Sequence, residues 1–137
     1  MDDAAPIVAI VEDDNAVRRA LGRLIKSFGY RTLEFDSGEK FLAEQSSNSG
    51  DCVIADYHMY GMTGLDVLLE IKRRDVSPPV IIMTGFDEPG KRDRCMGAGA
   101  TAYLVKPFER DVIAETLRAI LDQKHLAGPR SVLGRKG

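Results

Sequence analysis

The sequence predicts an α/β fold in which a parallel sheet is covered by helices on both faces. Three observations carry this. Five short strand-like stretches, 6–11, 30–35, 52–55, 80–83 and 102–105, four of them apolar runs, alternate with five stretches of helical character. The connections are short, and strand–helix–strand units of this kind join parallel neighbours through right-handed crossovers. The run from Cys52 to Ala55 is apolar throughout instead of alternating, as a strand buried on both faces is.

Each element has its own local signals. The first strand, 6–11, follows a short tail at 1–5 and ends in Glu12, Asp13 and Asp14. Asp14 or Asn15 can cap the next helix, whose face is Val17, Leu21, Leu24 and Phe28, with Arg18, Arg19, Arg23 and Lys26 largely off it. Gly29 ends that helix, and 30–35 forms the second strand. Asp36 and Ser37 restart a helix with Phe41 and Leu42 as its apolar contacts, followed by a polar loop at 45–50. The third strand delivers Asp56. A loop rich in glycine and methionine, 57–64, leads to a helix carried by Leu65, Leu68, Leu69 and Ile71. Pro78 and Pro79 stop it and open the fourth strand, which delivers Thr84 and Gly85. The helix at 90–98 has a poor apolar stripe and a charge-rich start, Lys91 to Arg94. The fifth strand delivers Lys106 before Pro107 and Phe108, and Ile113, Leu117, Ile120 and Leu121 stripe the last helix. From about Lys124 the composition turns to Gly, Pro, Arg and Lys. The domain is therefore expected over 6–124, with 125–137 as a flexible tail or the start of a linker.

The chain has 137 residues, enough for one domain with a real core and too few for two ordinary ones. Its net charge of −2 and lack of a basic stripe argue against direct nucleic-acid binding. Cys52 and Cys95 have no metal-like spacing and read as buried thiols in a reducing compartment. No apolar run approaches membrane-spanning length, and the Met-Asp-Asp-Ala start lacks the features of a signal peptide, so the expected location is cytoplasmic. No Gly-x-Gly-x-x-Gly follows the first strand, which disfavours a dinucleotide site, and there is no P-loop.

In such sheets ligands sit at the carboxyl ends of the strands. Carboxylates at 12, 13 and 56 gathered there would repel one another, and a hard divalent cation resolves that. Magnesium suits the set, since it takes carboxylate, carbonyl and phosphate oxygens and keeps waters. Asp56 can then act as a nucleophile toward phosphorus. Thr84 offers a hydroxyl and Lys106 a mobile cation, both suited to phosphoryl oxygens. Singly, each has a plainer reading: a turn threonine, a solvated loop lysine, acids that favour a helix start. Their joint occurrence at four alternating strand ends is what points to phosphoryl chemistry.

Glu12-Asp13, Asp56, the Asp-x-x-Met segment with Gly61 and Gly64, Thr84-Gly85, Tyr103 and Lys106-Pro107-Phe108 match in order and spacing. By these residues the chain resembles the response-regulator receiver domains of two-component signalling, over roughly 6–122. The resemblance implies a doubly wound (βα)5 three-layer sandwich of flavodoxin-like strand order 2-1-3-4-5. It implies that Asp56 accepts a phosphoryl group from a phosphohistidine on a sensor histidine kinase or phosphotransfer protein. Asp13 would ligate Mg2+ directly and Glu12 through water, with the backbone carbonyl of His58 completing the protein's set. Thr84 would be the switch hydroxyl, Lys106 the phosphate-binding lysine and Tyr103 the aromatic that turns inward. The surface of helix four, strand five and helix five would then change partners or form a homodimer. The segment from Met83 to Phe108 is most similar to the subfamily that often carries a helix-turn-helix output domain, for which this chain leaves no room. One departure stands out, Tyr60 where the family usually has proline. Two rival readings are a constitutive docking module of the same fold and a phosphate-ester hydrolase using the strand-end aspartate. The acid pair, Asp56, Thr84 and Lys106 together count against the first, and the short chain leaves little space for the second's substrate pocket. The chain is thus expected to be a switch and not an enzyme with turnover of an external substrate.

Overall fold

The computed structural model describes residues 4–44, 50–74 and 78–122. The tail or linker expected at 125–137, the first residues of the 1–5 tail and most of the 45–50 loop lie outside them. The strands are β1 (Ile7–Val11), β2 (Arg31–Phe35), β3 (Cys52–Asp56), β4 (Val80–Thr84) and β5 (Ala102–Val105). They alternate with α1 (Asn15–Ser27), α2 (Gly38–Glu44), α3 (Gly64–Arg73), α4 (Lys91–Gly97) and α5 (Arg110–Leu117), the last continued by a π-helical turn, Arg118–Asp122. All pairings are parallel and the order is β2-β1-β3-β4-β5, the expected one.

Strand alternation divides the core in two. Val8, Ile10, Cys52, Ile54, Ile81 and Met83 face α1 and α5, where Leu21, Ile25, Ile113 and Leu117 meet them. Ala9, Val11, Val53, Ala55, Val80 and Ile82 face the other way, onto Phe41, Val67, Leu68, Ile71 and Cys95 of α2, α3 and α4. β3 and β4 are buried along their whole length, as central strands of a doubly wound sheet must be. Both cysteines are buried and form no disulfide.

The helical stripes differ in detail from the sequence reading. In α3 the buried face is Gly64, Val67, Leu68 and Ile71, while Leu69 is 50% exposed. The period from Gly64 through Val67 and Leu68 to Ile71 turns Leu69 outward. In α1 the fully covered residues are Leu21 and Ile25, with Leu24 and Phe28 half-buried and Val17 at an exposed rim. In α5, Ile113 and Leu117 are buried, and in the π-helical turn after it Leu121 is buried and Ile120 packs at the edge.

Caps fix the ends of the site-bearing loops. Asp14, one of the two residues expected to cap α1, accepts the Val17 N–H at 3.0 Å. Thr63 and Asp66 form a reciprocal capping box at α3. Gly64 then sits against β3, its N–H donating to the Tyr57 carbonyl. A Cβ on Gly64 would lie 2.6 Å from the Asp56 carbonyl oxygen, a backbone atom that cannot step aside. Gly64→Ala is accordingly expected to cost about 1–3 kcal/mol in urea unfolding, the usual range for overpacking; an unchanged midpoint would show that the loop after β3 yields.

Candidate functional site

The register brings the strand ends to one edge. Val11 pairs with Ala55, Asp56 with Met83, and Thr84 with Val105. Backbone bonds continue the pairing past the strands: Glu12 N–H to Phe35 O, Tyr57 N–H to Met83 O, and Lys106 N–H to Thr84 O at 2.7 Å. Glu12, Asp56, Thr84 and Lys106 are therefore set by the sheet, and Asp13 by the turn into α1.

One oxygen from each of Glu12, Asp13 and Asp56 lies within a cluster 4.8 Å across. Lys106 Nζ stands 3.4 Å from Glu12 Oε1 and 3.5 Å from Asp56 Oδ2. The Asp14 N–H donates to Glu12 Oε2 at 3.0 Å, which orients that carboxyl. Burial pushes the Glu12 carboxyl up to about 7, with the Asp56 charge adding to it and the Asp14 N–H and Lys106 opposing it. Asp56 is 5% exposed, and its Oδ1 is buried with no hydrogen-bond partner. A buried carboxylate oxygen left unsatisfied among two other acids is what a hard cation would complete, so the residues fit magnesium.

Asp13 is exposed, yet its Oδ2 accepts the Tyr60 N–H at 2.8 Å. The proline usual in the resembled family has no N–H and could not make this bond. The Tyr60 ring itself is 93% exposed, so the departure acts at the site through its backbone.

Thr84 is fully buried and faces α4. Its hydroxyl donates to Phe86 O at 3.2 Å and accepts the Phe86 N–H at 3.1 Å. Tyr103 is 6% exposed, lies on the same face, and donates to Asp87 Oδ1 at 2.6 Å. Burial, then that bond, pushes its phenol well above the usual range. His58 is exposed, and its ring Nε2 is 2.9 Å from Lys91 Nζ.

Lys91 belongs to the charge-rich start of α4, yet it is fully buried. One signal was available: a cation at the first position of a helix opposes the dipole, so something else must hold it there. The Tyr60–Asp13 and Tyr103–Asp87 bonds were likewise not foreseen, since both depend on loop geometry.

Comparison with known proteins agrees with this geometry. Residues 8–118 match the family described as the response regulator receiver domain. The chain is 33% identical over 121 residues to the response regulator protein TodT of Pseudomonas putida, covering 88% of this chain and 53% of TodT. It is 35% identical over 127 residues to the DNA-binding transcriptional regulator NtrC of Salmonella typhimurium, covering 92% of this chain and 27% of NtrC. It thus spans about half of one relative and about a quarter of the other. Among solved structures, a response regulator receiver protein from Burkholderia phymatum is 38% identical with a TM-score of 0.74, covering 85% of this chain and 95% of that one. A DNA-binding response regulator of the LuxR family from Staphylococcus aureus is 32% identical with a TM-score of 0.78, covering 84% and 98%. Receivers are phosphorylation-dependent switches whose own chemistry is limited to taking up and losing a phosphoryl group. The chain belongs to the response-regulator receiver family, with Glu12, Asp13 and Asp56 as its magnesium and phosphoacceptor cluster.

Proposed function

We propose that Asp56 takes its phosphoryl group from a phosphohistidine on a sensor histidine kinase or phosphotransfer protein, and that Thr84 and Tyr103 carry the change to the α4–β5–α5 face. The observation that carries this is the buried Asp56, with one unpartnered oxygen and the other beside Lys106. An Asp56 oxygen attacks phosphorus, the N–P bond breaks, and its electron pair returns to the imidazole. Magnesium, when bound, supplies positive charge to the transferring oxygens. Asp13, Asp56 and the His58 carbonyl would hold it directly and Glu12 through water. Lys106 neutralises the carboxylates before transfer and the phosphoryl oxygens during it.

The donor must reach Asp56 from this edge. An open apolar groove of about 670 Å³ between α1 and the 106–108 turn, floored by Leu21 and Met83, lies beside Lys106 and is where we place the donor's contact. On the far side, Met96, Val105 and Val112 are 37%, 41% and 43% exposed, which supports a partner or homodimer surface there. The tie between Tyr103 and Asp87 joins β5 to the loop that Thr84 begins. Nucleic acid is left to a partner or to another part of a longer protein, because the chain's net charge is −2 and the resembled site is wholly anionic apart from Lys106. Among the described residues no helix is long and apolar enough to cross a membrane. A cytoplasmic location with buried reduced thiols completes the reading.

Labelled phosphate offered on an autophosphorylated histidine kinase tests the transfer. The label is expected to pass to this chain only with Mg2+ and to be released by hydroxylamine, as an acyl phosphate is. A hydroxylamine-stable label would contradict the reading.

A further inference from the structure

The ammonium of Lys91 is sealed inside the protein and held by groups from two loops. It donates to the Phe86 carbonyl and to Thr84 Oγ1 at 3.4 Å, and its third neighbour is His58 Nε2 at 2.9 Å. Because an ammonium can only donate, Nε2 is the acceptor. Glu88 Oε1 stands 3.7 Å away, and the Tyr57 ring lies 4.4 Å from Nζ, face toward the cation. A buried cation is tolerated only when so satisfied. The result is a cross-tie between the loop after β3, the loop after β4 and the start of α4.

The cross-tie runs through the hydroxyl that must move. Thr84 Oγ1 is committed to Phe86 on both its donor and acceptor sides, with Lys91 as a further donor. To reach a phosphoryl oxygen on Asp56 the hydroxyl has to leave this arrangement, and Lys91 then loses an acceptor. Lys91 therefore interacts unequally with the two positions of Thr84, which is the condition for biasing a two-state element. Of the residues around Lys91, His58 shares in the proposed magnesium set, but through its backbone carbonyl and not through the ring that Lys91 meets.

We propose that Lys91 is a positioning residue whose bond to the Thr84 hydroxyl latches that hydroxyl in the unswitched arrangement and so sets how readily a phosphoryl group on Asp56 recruits Thr84. The inference rests on the reading of Asp56 as phosphoacceptor, and the test separates the two. Beryllofluoride with Mg2+, a mimic of the aspartyl phosphoryl group, is titrated against the full chain by NMR or calorimetry. Lys91→Met keeps the buried length and removes the donor. It is expected to bind beryllofluoride about five- to tenfold more tightly than the wild type, the effect of deleting from the unswitched state alone one hydrogen bond that is long and so of ordinary net worth. In a Thr84→Ala background the same substitution is expected to change nothing, whereas a merely structural role would affect both backgrounds alike. Lys91→Gln keeps a shorter, uncharged donor and is expected to tighten binding about two- to threefold, so it decides the matter if Lys91→Met does not fold. Unchanged or weaker binding in Lys91→Met, or tightening that persists without the Thr84 hydroxyl, overturns the latch. If the wild type itself fails to bind beryllofluoride with Mg2+, the phosphoacceptor reading falls instead.

Discussion

Lys106→Met is expected to slow both gain and loss of the phosphoryl group on Asp56 by about a hundredfold, the size of effect seen when one preorganised charge donor is taken from a transition state. Uptake passes the group from the donor to Asp56 and loss passes it from Asp56 to water, but in both the charge gathers on the same transferring phosphoryl oxygens, so a cation that faces them acts on both. Lys106 is the cation beside the site's acids, at 3.4 Å from Glu12 and 3.5 Å from Asp56, and it is only partly exposed. Methionine keeps most of the stem and removes the charge. Rates of uptake from acetyl phosphate and of decay after its removal, followed by intact-protein mass, check this. A variant that takes up phosphoryl slowly but loses it at the wild-type rate would show that Lys106 serves only the encounter with the donor.

The second large effect is a pH dependence of magnesium binding. Burial holds the Glu12 carboxyl at about 7 against an ordinary 4.5. Between those values the folded chain keeps a proton that the unfolded chain has lost. Without metal, stability therefore falls as pH rises from about 4.5 through 7, the reverse of the usual salt-bridged carboxylate. Magnesium needs the ionised cluster, so its binding must expel that proton at mildly acidic pH. Thermal unfolding with chelator and with Mg2+ is expected to show little stabilisation by the metal near pH 5.5 and a clear one near pH 8. At a hundredfold excess over its dissociation constant the gain is about 2.7 kcal/mol. Equal stabilisation at both pH values would mean that Glu12 is ionised throughout.

Much of this site was legible because it rests on strand ends. Apolar runs ending in Asp56, Thr84 and Lys106 place those residues at one edge as soon as the strands are parallel, and the register bears this out. The order of the strands was not readable from alternation, because every order of a (βα)5 chain has the same sequence pattern. It came through the motif resemblance. The burial of Lys91 was not legible, because burial of a cation depends on which loops fold over it, and neither His58 nor Phe86 is near it in a way periodicity reveals. Leu69 shows the same limit within one helix, where a run of leucines hides which of them faces the sheet. The contribution of Tyr60 lies in its backbone N–H, which side-chain reasoning about a bulky polar ring passes over.

The most direct measurement of the central claim is the intact mass of the chain after incubation with Mg2+ and acetyl phosphate, with Asp56→Asn run in parallel. A single phosphoryl adduct on the wild type, lost on adding chelator before the donor and missing from Asp56→Asn, is the predicted result. An undiminished adduct on Asp56→Asn, or none on the wild type, would contradict the assignment of Asp56 as the group that receives the phosphoryl.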